Sequence, residues 1–228
     1  MGLKFPAWTK DSETAARWEL IAIVLAVGAA WNTPVVWPLK ILVVLFHELS
    51  HAAAAILTGG SVDHIELVAQ QGGLAMVRGG WTFLIYSAGY VGSMLWGALI
   101  LIGASRSNWD RAISALLGVV LAWATLWWVR TLFGVVFGLA AAGALLAAAR
   151  WLSERTNDFI LKTIGLTSCL YAVWDIWSDI LTRSACRSDA RYLAGITGVP
   201  TVVWGVLWIG LAVWGSWRAL IVASRRPT

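Results

Sequence analysis

Long apolar runs, interrupted at intervals by one or two charged residues, set the pattern of this chain. A helix needs about 20 residues to cross roughly 30 Å of hydrocarbon. On that measure the runs predict seven membrane-spanning helices, at about 15–31, 34–58, 81–103, 109–128, 131–152, 158–183 and 201–223. The second run opens after Asn32-Thr33-Pro34, a helix-start signal, and stops at Gly59-Gly60. The fourth and fifth read as a tight helical hairpin around Arg130. Between the second and third runs the period changes. Ser61-Val62-Asp63-His64-Ile65-Glu66-Leu67-Val68 alternates polar and apolar as a strand does, Gln71-Gly72-Gly73 reads as a turn, and Leu74 to Arg78 can return as a second strand. The expected fold is an all-α polytopic membrane protein, one domain over 1–228, with a small β-hairpin at the membrane surface at 61–78.

Composition agrees with that pattern. Hydrophobic residues make up 59% of the chain and charged residues 13%, against about 25% charged in a soluble domain. The 17 tryptophans suit a protein with many segment ends at headgroup level. The net charge of +5 comes from Lys and Arg standing singly at the ends of the runs, with no basic stripe, so the expected partner is the lipid bilayer and not nucleic acid. Lys and Arg are nearly balanced between the two sides, which leaves the orientation of the termini open. Lys4, Lys10 and Arg17 precede the apolar stretch Leu20 to Trp31, which faintly resembles a signal peptide. A second apolar block follows almost at once, so this stretch is read as a retained first span of a multi-pass protein, expected in the inner cell membrane. Cys169 and Cys186 form neither a ligand pair nor a disulfide framework. Gly89, Ser93 and Gly97 recur every four residues, as do Gly134 and Gly138, and are read as faces where helix backbones approach closely.

Chemistry concentrates in the second span. His47-Glu48-Leu49-Ser50-His51 is a His-Glu-x-x-His motif, and positions i and i+4 share one helix face, so the two imidazoles can hold one metal ion. Zinc suits imidazole nitrogen, and Glu48 stands beside it as a base for water. Ionisable groups deep in an apolar span are costly and mark function. Catalytic zinc takes three protein ligands, so a third is needed. The sixth span reads Trp174-Asp175-Ile176-Trp177-Ser178-Asp179, with two carboxylates four apart. Asp175, the deeper, is the favoured ligand, and Asp179 is its alternate or an outer partner. Asp189, in the Arg-rich segment that follows, is a weaker candidate. His64, in the polar loop, is read as a solvated surface residue.

At this point the chain resembles a known family. Phe46 to Ala54 with Leu57-Thr58-Gly59-Gly60 is similar to the site-2-protease clan of intramembrane zinc metalloproteases, and more narrowly to its compact B-type peptidase branch. Gly72-Gly73, Ala88 to Ser93, Trp174 to Asp179, Ser188-Asp189-Ala190 and Trp204 to Trp208 extend the likeness over most of 40–210. The resemblance implies cleavage of transmembrane substrates within the bilayer, zinc on two histidines and a distant aspartate, and a substrate that unwinds and pairs as a strand near the 59–80 segment. The Leu-Asp-Gly motif that carries the aspartate in the best-known members is absent here. Two rival readings are a non-proteolytic metal-binding scaffold or regulator of the same fold, whose hallmark would be loss of Glu48, and a transporter, which often shows internal repeats that this chain lacks.

Overall fold

In the computed structural model the described residues are 10–181 and 188–225. They form eight helices and two strands: α1 (Lys10–Ala29), α2 (Trp37–Leu57), β1 (Ser61–Val68), β2 (Gly72–Arg78), α3 (Thr82–Arg106), α4 (Asp110–Trp128), α5 (Leu132–Trp151), α6 (Glu154–Leu181), α7 (Asp189–Thr197) and α8 (Thr201–Ala223). Six of these helices, α2, α3, α4, α5, α6 and α8, are long and apolar enough to cross a membrane. The expected first span is a helix, α1, but it is not among these six, and Glu13, Arg17 and Glu19 interrupt its apolar run. Glu19 is neutralised from outside its own helix. Lys162 on α6 lies 3.0 Å from Glu19 and 2.7 Å from Asp158, so α6 begins one polar turn earlier than hydropathy predicts.

A further difference follows α6. The segment expected only to link it to the last span contains the nine-residue helix α7. Its start obeys a local rule: Ser188 is the N-cap, its hydroxyl accepting from the Arg191 amide, and Asp189 stands in the first turn, where the helix dipole favours an anion.

The strands pair antiparallel, Ile65 opposite Ala75 and Leu67 opposite Gly73, with a bulge at Asp63 between Val62 and His64. The bulge resets the alternation, so Val62 packs against the same core as Ile65 and Leu67 although it stands an odd three positions from Ile65. The turn falls at 69–71, earlier than expected, with Gln71 at φ +62°, and Gly72 and Gly73 belong to β2. The hairpin lies along α2. Trp37 at the helix start donates to the Ala69 carbonyl at 3.0 Å, and Thr58 at its end accepts from the Trp81 amide at 2.9 Å. The outer edge of β1 is already occupied: Arg130 N–H donates to Ile65 O at 3.0 Å, and Thr131 bonds both the amide and the carbonyl of Leu67. Among the described residues the outer edge of β2 pairs with no strand.

Helix α3 is the hub, packed against α2, α6, α7 and α8. Of its small-residue face, Gly97 is the close backbone crossing. A Cβ on Gly97 would lie 2.7 Å from the Gly165 carbonyl, and one on Gly165 would lie 2.8 Å from the Gly97 carbonyl, so α3 and α6 touch backbone to backbone. One turn away Ser168 donates to the Ser93 carbonyl at 2.7 Å. Gly138 of α5 instead leaves room for the Thr125 side chain of α4. Cys169 is a free, buried thiol, and Cys186 lies outside the described residues. Replacing Gly97 with Leu should cost about 1–3 kcal/mol through overpacking. The check is thermal unfolding in detergent, where an unchanged midpoint would contradict the close crossing.

Candidate metal centre

The motif helix α2 presents His47 and His51 on one face, ring centroids 4.7 Å apart and tilted 73°. Above them stands Asp189, carried in by the first turn of α7. Its Oδ2 lies 3.1 Å from His47 Nε2 and 3.2 Å from His51 Nε2. One ligand atom from each of the three residues falls within 4.8 Å of the others, and among the described residues this is the only such group of histidine, cysteine and carboxylate side chains.

What lies beneath the rings matters as much. A Cβ on Gly89 of α3 would meet both imidazoles, 2.5 Å from His51 Nε2 and closer still to His47 Nε2. Only glycine leaves room for the pair. Ser50 likewise sits in the space opened by Gly92. His51 Nδ1 is 2.7 Å from the Ile85 carbonyl. A carbonyl can only accept, so Nδ1 must carry hydrogen, and the neutral ring then turns its Nε2 lone pair towards Asp189. Two acceptors 3.2 Å apart repel unless a metal ion lies against both or a proton lies between them. Tyr90, buried at the core, meets His47 edge to face at 5.1 Å and backs onto Trp208.

The donor set fits zinc. Two imidazole nitrogens and one carboxylate oxygen are a known catalytic ligand set, and ligands about 2.0–2.1 Å from a tetrahedral ion stand about 3.3 Å from one another.

Glu48 is 5% exposed and faces the hairpin. The backbone N–H of Ala75 bonds its carboxylate, and a Cβ on Gly73 would lie 2.5 Å from its Oε1. The hairpin is therefore in contact with the glutamate of the motif.

The other sequence candidates lie elsewhere. Asp175 is on α6, near enough for its charge to be felt at His47, but its carboxylate is not in the group of three. The side chain of Asp179 is outside the described residues. His64 is on β1, 3.3 Å from Glu66, away from the cluster. In the sequence Asp189 stands below Asp175 as a candidate, Gly89 reads as helix packing, and nothing marks Gly73 as a contact of Glu48. The signal for Asp189 was present: a serine followed by an aspartate is a helix start, and a helix start can carry a ligand inward.

A polytopic membrane protein with a His-His-Asp cluster beside a buried glutamate is a membrane metallopeptidase in outline. The chain belongs to the Peptidase M50B-like family, whose model matches residues 20–219, a family of metalloproteases embedded in membranes. Neither the curated proteins nor the solved structures give a match to this chain.

Gly89→Ala should weaken divalent-metal binding at least about tenfold, as loss of an outer support does, while helix content holds. Metal titration alongside circular dichroism checks this, and wild-type affinity in the variant would refute the cradle.

Proposed function

We propose that this protein is a zinc-dependent intramembrane endopeptidase in which His47, His51 and Asp189 hold the metal and Glu48 moves the proton. The observation that carries the reading is the Asp189 oxygen lodged at 3.1 and 3.2 Å from the two Nε2 atoms, with Glu48 next to His47 on the same helix. Zinc bound there would polarise a peptide carbonyl and make adjacent water more acidic. Glu48 takes the proton from that water and returns it to the nitrogen of the departing amine as the peptide bond breaks. The Ala75 amide and the missing side chain of Gly73 set where its carboxylate points while it does so.

The proposed substrate is a membrane-spanning protein in the cell membrane. Helical hydrogen bonds protect its backbone, so a segment must unwind before a carbonyl can reach the metal. The outer edge of β2 offers main-chain partners to such a segment, beside Glu48. Leu74 and Met76, 49% and 43% exposed on that strand, would meet alternate substrate side chains. A metal-binding scaffold would need the three ligands but not a buried, amide-held carboxylate beside them, which favours the enzyme over that alternative.

Three variants separate the roles. Wild type should bind one zinc per chain, Asp189→Ala should lose it, and Asp175→Ala should keep it. The reverse outcome would transfer the ligand role to Asp175. Glu48→Gln should keep zinc yet lose cleavage of single-span substrates in proteoliposomes by about 100-fold or more. Retained turnover would remove Glu48 from the chemistry. For the strand edge, Leu74→Cys and Met76→Cys in a Glu48→Gln background should form disulfides with cysteines placed along a substrate segment at alternate positions. Crosslinks absent there but formed elsewhere on the bundle would place substrate away from β2.

A further inference from the structure

We propose that the stacked pair Tyr86 and Tyr192 is a positioning device that sets α7, and with it the Asp189 carboxylate, onto the two histidines. The inference rests on the zinc reading above. Asp189 occupies the first position of a nine-residue helix. Helices shorter than about 12–15 residues do not hold themselves in water, so the place of α7 is set by what it touches. Ala190 and Leu193, both buried, enter an apolar cluster with Tyr90, Met94, Ile176 and Trp208. Apolar burial has no direction. It fixes how deep α7 sits and which face turns inward, and leaves its slide along the axis to other contacts.

The stack supplies direction. The rings of Tyr86 and Tyr192 lie 4.9 Å apart, within 6° of parallel. Tyr192 is three residues after Asp189, and Tyr86 is three residues before Gly89, a spacing that keeps each pair on one helix face. So α3 and α7 meet at two consecutive levels. At one, ring lies on ring. At the next, Gly89 lies under the histidines and Asp189 over them. Tyr192 remains 42% exposed, so burial does not hold its ring there; the plane-to-plane contact does. Zinc accepts carboxylate oxygen only at about 2.0–2.2 Å, and a small slide of α7 takes the oxygen out of that range. Neither hydroxyl is needed for this role, only two flat rings.

The test uses the full chain in detergent, reading zinc affinity by chelator competition and the visible spectrum of bound Co2+. Tyr192→Ala and Tyr86→Ala should each weaken zinc about tenfold, the loss typical when an outer support is removed, and should shift the Co2+ bands. Tyr192→Phe and Tyr86→Phe should match wild type in both. Tyr192→Leu, which keeps apolar bulk without a flat ring, should behave as the Ala variant while its metal-free melting stays that of wild type, and it stands in should Tyr192→Ala not fold. Wild-type zinc affinity in the Ala and Leu variants, or equal losses in the Phe variants, would overturn the proposal. Asp189→Ala is the separate control: if it alone loses zinc, the site stands and only the latch falls, whereas undiminished zinc in Asp189→Ala removes the site reading itself.

Discussion

The carboxylate of Asp189 faces two imidazole nitrogens in a place with little water, and that arrangement constrains everything around it. His51 spends its one ring hydrogen on the Ile85 carbonyl, so it meets the carboxylate with a lone pair. A metal ion against both, or a second proton on the ring, resolves this, because unpaired charge in such a setting costs several kcal/mol. The neighbours follow from this demand. Gly89 is bare so that both rings fit, and Tyr90 supports His47 from the side. Helix α7 exists at a place and angle that deliver one oxygen. The bundle as a whole is held by apolar and small-residue packing.

Much of the architecture was legible because membrane spans are long and their signal accumulates over many residues. The boundaries of α3, α4, α5 and α8 fall close to those hydropathy gives. The hairpin was legible from alternation, although the bulge at Asp63 and the early turn were not, since both answer to contacts with α2 and α5 that no local window contains. The charges that interrupt α1 stand in its own sequence, but the partner of Glu19 is Lys162, 143 positions away and outside any window. The metal motif was readable because both histidines lie on one turn-spaced face.

The third member of the site was harder for a definite reason. Asp175 has the deeper setting in an apolar helix, and depth is a fair guide when ligands come from spans. Asp189 comes instead from a helix too short to show a period, where the evidence is a two-residue start signal. Gly89 shows the same limit in another form. A glycine in a four-residue repeat reads as a crossing point, and Gly97 is one, but the repeat cannot say that Gly89 faces imidazoles and not another backbone.

The open edge of β2 carries a further consequence. One side of the hairpin is sealed by Arg130 and Thr131, while the other presents peptide groups with no strand beside them. Within a bilayer, backbone without partners cannot face hydrocarbon. On this strand one group is already served, since the Ala75 amide bonds the Glu48 carboxylate. The glutamate of the motif is thus tied to the backbone of the strand as well as carried by its own helix.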